Sequence, residues 1–472
     1  MAARLFGTDG IRGVFGEPPL DRRTVTVVGT ELGRHLRRGS SSATVLLGGD
    51  TRESTPTLCS WLTEGLASAG TGAVLVGTAP TPAVAYLTRS LGCTAGVAVS
   101  ASHNQHPDNG LKLFDAAGSK WRPDQEQELE RKISAALATS PAPRGTETAA
   151  TRETSESTDG QGSSGLERPT VLAEHLEKYL DSLRATVPTD ALSGLRITLD
   201  MANGAATPFG RRLFFELGAE VTLLGDCPDG KNINQHCGST HPDAMARRTV
   251  ESGSHLGFAF DGDADRVIVA DEKGTIRDGD ALLYLLARDL QDRGSLDPPR
   301  IVATSMSNLG LEVALARHGI EMERCDVGDR EVVATLRRHG LTLGGEQSGH
   351  IIQLNCSTTG DGLLTALMTA QIVARNGTAL SEHLREFERY PQVLVNVRVR
   401  EKPALLSLPT VAAAAIEVED RLGARGRLVL RYSGTEPLAR VMIEGPELSE
   451  IQELAKHLTD AIDAEIGERE TG

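Results

Sequence analysis

The sequence predicts an α/β protein: three related α/β domains with mixed sheets and a smaller C-terminal α+β domain, set around a central cleft. Three observations carry this. At 472 residues the chain is too long for one hydrophobic core. One order of elements occurs three times, from Thr44, from Leu195 and from Pro298: an apolar run, a polar loop, a helical period, then a second apolar run. Unbroken apolar runs are the mark of strands buried on both faces, with the helices as crossovers between them. Beyond residue 389 the pattern changes to strands at 393–399, 427–431 and 440–444 and helices at 409–422 and 448–466. The expected domains are therefore 1–170, 171–276, 277–389 and 390–472.

In the first domain, residues 4–13 (RLFGTDGIRG) place glycine backbone and arginine side chains where they could meet an anion. Residues 57–69 have helical periodicity. Ala95–Val99 is an apolar run that breaks into the polar set Ser100, Ala101, Ser102, His103 and Asn104. A serine hydroxyl at the end of a parallel strand lies where open α/β sheets place their ligands. The stretch 139–169, rich in Ser, Thr, Gly, Pro and Glu, cannot bury enough apolar surface to order itself and reads as a disordered insertion. An amphipathic helix at 170–183 then leads into the second domain.

That domain contains the strand Leu256–Phe260, which ends in Asp261-Gly-Asp-Ala-Asp-Arg. Three carboxylates at alternating positions repel one another unless a cation sits among them. Mg²⁺ suits such an oxygen site when room is kept for a phosphate oxygen. Arg266 at the position that needs glycine and strands where helices are required weigh against an EF-hand loop, and a solvated acidic turn is the other alternative. In the third domain, Gly344–His350 (GGEQSGH) offers a carboxylate, an amide and a hydroxyl, a set that matches a polyhydroxylated ligand. In the fourth, Arg431–Arg440 (RYSGTEPLAR) sets two guanidinium groups beside small residues and their N–H groups, a cradle for a phosphate dianion.

Composition narrows the function. The net charge of −15 argues against a nucleic-acid partner. Six cysteines without C-x-x-C spacing fit a reducing compartment. With no signal-peptide start and no apolar run of about 20 residues, a soluble cytoplasmic protein without a membrane partner is expected. Walker A, dinucleotide-binding, H-E-x-x-H and G-x-S-x-G patterns are all missing.

Taken in order, FGTDGIRG, SASHN, DGDADR, GGEQSGH and RYSGTEP resemble the α-D-phosphohexomutase superfamily, most closely its bacterial amino-sugar branch. INQHCGSTHP (233–242), SMSNLGL (305–311) and VGDR (327–330) resemble that branch too. The resemblance implies an isomerase that interconverts glucosamine 6-phosphate and glucosamine 1-phosphate through a 1,6-bisphosphate, feeding UDP-N-acetylglucosamine and cell-wall precursors. Ser102 would carry the phosphoryl group. Ser102, Asp261, Asp263 and Asp265 would hold Mg²⁺. Arg12, His103 and Lys112 would serve proton transfer and charge stabilisation. Glu346 and Ser348 would hold sugar hydroxyls, and Arg431, Ser433, Gly434, Thr435 and Arg440 the distal phosphate. A mobile fourth domain would let the intermediate turn over, and a homodimer is compatible with all of this.

Gln347 favours an amino sugar, since relatives acting on neutral hexoses usually have Met there. A phosphomannomutase or phosphoglucomutase activity and a non-catalytic sugar-phosphate sensor are the alternatives. Three positions depart from the family pattern: Gln105 for Pro, Ala264 for Gly, and Tyr432 for Pro or a small residue. Gln105 is expected to loosen the serine loop. Ala264 implies that its backbone avoids the left-handed region.

Overall fold

The computed structural model describes residues 5–7, 9–39, 42–139, 174–433 and 436–468. The insertion expected at 139–169, apart from Thr139, lies outside the described residues, as do Gly434 and Thr435.

Three mixed sheets share one plan. The first contains β1 (Ile11–Val14), β2 (Thr44–Gly49), β3 (Gly72–Thr78), β4 (Ala95–Val99) and β5 (Asp108–Asp115), in the order β1-β5-β4-β2-β3. Strand β2 runs parallel to β3 and β4, and β5 returns antiparallel beside β4. The second contains β6 (Arg196–Asp200), β7 (Glu220–Leu224), β8 (Leu256–Phe260), β9 (Val267–Asp271) and β10 (Ile276–Arg277), in the order β10-β9-β8-β6-β7. The third contains β11 (Arg300–Thr304), β12 (Glu321–Cys325), β13 (Leu343–Gly345) and β14 (Ile351–Gln353), in the order β12-β11-β13-β14. In each, two parallel pairings flank one strand and an antiparallel hairpin follows. The repeat seen in the sequence is thus a repeat of topology.

The fourth sheet is antiparallel: β15 (Gln392–Arg398), β16 (Arg427–Tyr432) and β17 (Leu438–Glu444), in the order β15-β17-β16. Two helices, Pro409–Leu422 and Leu448–Ile466, pack on one face of it. Their bounds match the periodicity of the sequence. The helix expected at 170–183 occupies His175–Arg184. Among the described residues no helix is long and apolar enough to cross a membrane.

Cores explain how these units are joined. One cluster runs continuously from the first sheet (Leu46, Val76, Phe114) through the second (Ile197, Phe258, Phe260) to the third (Ile301, Leu343, Ile351). At about 1.5–3 kcal/mol for each large side chain buried, such a shared core welds three domains together. The fourth domain has a core of its own around Val411, Val441, Ile451 and Leu458. It is tied to the third by polar contacts. Buried Glu444 accepts from the Leu309 backbone N–H (3.1 Å) and from Asn308 Nδ2 (3.1 Å), and pairs with Arg427 (2.7 Å). Asn308 caps the helix Leu309–Ala316, so one buried carboxylate links a helix start to the last strand.

Candidate active site

Strand ends bring the chemistry together. All five residues of β4 are buried, and the chain leaves it through Ser100 and Ser102. β8 is equally buried and leads into Asp261. The two ends face each other, and Ser102 Oγ donates a hydrogen bond to Asp261 Oδ2. This contact is dry: Ser102 is 1 % exposed and Asp261 and Asp263 are fully buried. Gly262 allows the approach, since a Cβ there would stand 2.6 Å from the Ser102 carbonyl oxygen.

Ala264 sits at φ 55° and Ser102 at φ 54°, both left-handed. The expectation that Ala264 would avoid this region is therefore wrong. Ala264 sits in the hairpin turn between β8 and β9, and its carbonyl oxygen in this conformation accepts from the Gly362 N–H at 3.0 Å.

The carboxylates are arranged for a cation. Asp261, Asp263 and Asp265 can each place one oxygen within 4.8 Å of the others. Asp263 Oδ1 is buried and accepts no hydrogen bond. Burial, and then the charges of Asp265 and Asp263, push the Asp261 carboxyl well above the usual range. Three buried hard oxygens with one orphaned and one driven toward protonation fit a divalent metal ion, which would reverse that shift.

Positive charge closes around the triad. Lys112 Nζ lies 2.7 Å from Asp263 Oδ2, 2.9 Å from Asp265 Oδ2 and 3.4 Å from Asp9 Oδ2. Burial alone would lower its pKa, but the three carboxylates hold it well above the ordinary lysine value. Burial opposes the ionised form of Asp265 as well, yet Lys112, His350 and Arg266 keep its carboxyl well below the usual range. Lys120 bridges Asp9 and Asp329. His350 Nε2 accepts from the Gly360 N–H (3.0 Å), which leaves Nδ1 to face Asp265 Oδ1 at 3.4 Å. Domains one, two and three thus meet in a single charge network.

Beside it opens a cavity of about 470 Å³, lined by Gly7, Asp9, Arg12 and His103 from the first domain, Asp265 and Arg266 from the second, and Gly328, Asp329, Glu346 and His350 from the third. Arg12 Nη2 reaches Asp9 (2.6 Å). Burial, Arg266 and Arg12 lower the His103 pKa, so the ring stays neutral, and its Nδ1 stands 3.3 Å from Arg266 Nη1. Glu346 accepts from the Gly328 N–H at 3.2 Å. Ser348 is exposed on the same turn and does not line the cavity.

Arg431, Ser433 and Arg440 do not line it either. Arg431 and Arg440 face each other directly across the β16–β17 pair. Arg440 Nη2 touches Ser433 Oγ and Glu436 Oε2, both at 3.3 Å. Two like charges opposite one another destabilise a sheet unless an anion joins them.

Several participants carried no role in the sequence reading: Asp9, Asp329, His350, Arg266 and Asn234, all inside motifs that it singled out, and Lys120, which was not. Each is paired with a residue remote in sequence, so no local spacing marks it. Buried charge within a glycine-rich motif was the one signal available.

Fold and site together define a sugar-phosphate mutase class of enzyme, and the comparisons with known proteins are specific. Family models for the phosphoglucomutase/phosphomannomutase α/β/α domains I, II and III match residues 3–139, 177–274 and 278–390, and the C-terminal domain model matches 394–461. The chain belongs to the phosphoglucomutase/phosphomannomutase family, and it is an enzyme of the isomerase class. It is 44 % identical over 98 % of its length to the phosphoglucosamine mutase of Koribacter versatilis, covering 97 % of that protein. It is equally 44 % identical to the phosphoglucosamine mutase of Thermus thermophilus, covering 98 % of each chain. Among solved structures, a phosphoglucomutase/phosphomannomutase family protein from Burkholderia thailandensis superposes with a TM-score of 0.77 at 25 % identity, over 98 % of this chain and 97 % of that one. The N-acetylphosphoglucosamine mutase of Aspergillus fumigatus, solved with GlcNAc-6P and magnesium, shares the fold with a TM-score of 0.61 at 19 % identity, over 97 % and 95 % of the two chains.

Proposed function

We infer that the chain interconverts glucosamine 6-phosphate and glucosamine 1-phosphate, with Ser102 as the phosphoryl carrier. The observation that supports this most is the buried meeting of Ser102 Oγ with the aspartate triad, beside a charged cavity that the neighbouring His103 and Asp265 line while Ser102, Asp261 and Asp263 stay behind them. The relatives named above supply the substrate class. The O1 hydroxyl of the 6-phosphate attacks the phosphorus of phosphoserine 102, the P–Oγ bond breaks, the O1 proton passes to the departing Ser102 Oγ, and a 1,6-bisphosphate forms; the return half moves that proton from Ser102 Oγ to O6. After it turns over, Ser102 Oγ takes the phosphoryl group from O6 and the 1-phosphate leaves. Phosphate and charge are conserved across the cycle.

Asp261, Asp263, Asp265 and a phosphoserine oxygen would hold Mg²⁺, which when bound offsets the charge on the transferring group. The rest falls to the protein. Lys112, locked between carboxylates, holds positive charge in place and has no free lone pair with which to move a proton. Arg12 reaches the cavity from the β1 side. His103, neutral with Nδ1 turned to Arg266, presents its Nε2–H as a hydrogen-bond donor to a phosphoryl oxygen. Glu346 faces the cavity as an acceptor for sugar hydroxyls, and Ser348 would join it once a ligand draws the turn inward. Arg431, Ser433, Arg440 and the Gly434–Thr435 backbone would grip the phosphate that is not reacting. The separate core of the fourth domain supports a unit able to swing over the cavity while the intermediate reorients. The enzyme would work in the cytoplasm, in keeping with six free cysteines, and without a nucleic-acid partner.

The test is a comparison of kcat/KM on glucosamine 6-phosphate with those on mannose and glucose phosphates, together with intact mass. A preference for the amino sugar and one phosphate on Ser102 are expected. A preference for a neutral hexose would assign the substrate to the other branch, and a Ser102 that never carries phosphate would leave only a sensor.

A further inference from the structure

The loop that carries Ser102 is held by its own carbonyl oxygens. Arg52 is buried, 1 % exposed, and all five N–H donors of its guanidinium are used. Its Nη2 donates to the carbonyls of Ser102 (3.1 Å) and Asn104 (2.8 Å), and its Nη1 to those of Gln105 and Asp108 (3.0 Å for the latter). Its Nε is fixed by Asp50 at 2.9 Å, and Asp50 also holds Ser100 Oγ at 2.7 Å. From the opposite side comes Asn234, in the second domain. Its Nδ2 donates to the same two carbonyls, Ser102 (2.8 Å) and Asn104 (2.9 Å). Facing two acceptors, the carboxamide must turn its nitrogen inward, so its orientation is not ambiguous. Asn234 is itself left-handed, at φ 57°, a conformation asparagine tolerates better than most residues, and its N–H is tied to the Ala202 carbonyl at 2.9 Å.

We propose that Arg52 and Asn234 are positioning residues for phosphoryl transfer: a two-domain clamp on the Ser102 and Asn104 carbonyls that fixes the direction of Ser102 Oγ and replaces the stiffness that Gln105 gives up. The clamp explains three features together. A serine persists in a strained conformation because its carbonyl is pinned from two sides. The loop keeps its shape without proline because Arg52 takes the Gln105 carbonyl. The donor also comes into register only when the second domain, which carries the aspartates, is seated, since Asn234 and Asp261 lie on the same side of the junction. The proposal rests on the reading of Ser102 as the phosphoryl carrier.

Positioning is separable from folding. Asn234→Ala removes two hydrogen bonds from the clamp. A displacement of about 1 Å at a reacting atom is enough for a loss on the order of 100-fold in rate. Expected are a fall in kcat of about 10- to 100-fold with KM changed less than about threefold, and phosphoserine 102 lost to water more often per turnover. Asn234→Asp, equal in size but unable to donate, is expected to be no better than Asn234→Ala. Adding Gln105→Pro to Asn234→Ala is expected to recover at least threefold in kcat by restoring loop stiffness.

Retention of kcat within twofold in Asn234→Ala overturns the proposal. So does a series in which kcat, KM and Tm move together, with Asn234→Asp better than Asn234→Ala and no gain from proline, for that is the signature of packing alone. If the wild-type enzyme itself fails to move phosphate between O6 and O1, the activity reading falls. The hydrolytic lifetime of phosphoserine 102 in the same variants still decides the clamp.

Discussion

Ser102 is pinned by backbone, carboxylate and two domains at once, whereas Arg431 and Arg440 stand on a small domain with its own core and face each other almost unneutralised. The first region is dry, with Ser102 1 % exposed. In the second, Arg431 is exposed and has no ion pair among the described residues, and the ion pair of Arg440 there is with Glu436, at 3.3 Å. The contrast follows from the chemistry each must do. Passing a phosphoryl group calls for fixed geometry in a low-dielectric setting, where each charge acts strongly and nothing must reorganise. Capturing a phosphate from solution calls for charge left open to water, on a unit that can be brought to the cavity. The fourth domain meets the second demand through a polar attachment centred on Glu444, Arg427 and Asn308.

The comparison can be broken at either end. The largest effect is expected from Ser102→Ala, a loss of transfer on the order of 10⁴-fold or more with substrate affinity kept; calorimetric binding beside a coupled assay checks both halves. Chelation of divalent cations should lower kcat by about 10³-fold, equivalent to several kcal/mol of charge stabilisation. Asp261→Asn should be inactive as well, yet melt higher than wild type in chelator because one of three mutually repelling carboxylates is gone. Arg431→Ala should act at the other end. The loss of one charged contact, about 1.5–3 kcal/mol, raises KM by about 10- to 100-fold and leaves kcat nearly unchanged. A kcat effect equal to that on kcat/KM would erase the distinction between the two regions.

Two smaller effects sharpen the picture of the buried half. Asp361 caps the helix Gly362–Asn376 and accepts from Tyr179 Oη, and burial raises its carboxyl from 3.8 to about 6. The fold then binds a proton that the unfolded chain releases, so this group's stabilisation is full below about pH 4 and fades as pH rises through about 6. The span is on the order of 3 kcal/mol. Asp361→Asn, which keeps the cap, should therefore melt above wild type at pH 8 and level with it at pH 4. Ala264→Gly removes a left-handed alanine at the price of chain entropy, for a net gain of about 0.5–1 kcal/mol in denaturant unfolding.

Much of this was legible in the sequence, and the reasons for the rest are physical. The strands Ala95–Val99 and Leu256–Phe260 declare themselves because both are buried on two faces and both end abruptly in polar loops. Ser102 and the aspartates follow directly, since ligands gather at such ends. Arg52 and Asn234 did not stand out, because an arginine three residues past a strand reads as surface until its acceptors are known. Lys120 and Asp329 are more than 200 residues apart in sequence, and only the docking of the first and third domains makes them a pair. Ala264 misled in the other direction: glycine is the usual left-handed residue, so alanine spoke against the conformation that it adopts.

Everything turns on whether the phosphoryl group on Ser102 is the one that reaches the sugar. Enzyme carrying labelled phosphate on Ser102, mixed with unlabelled glucosamine 6-phosphate and quenched within a turnover, answers this directly. The label is predicted on O1 of the bisphosphate and of the released 1-phosphate, while Ser102 is refilled with unlabelled phosphate from O6. Label that stays on Ser102 while product accumulates would contradict the account.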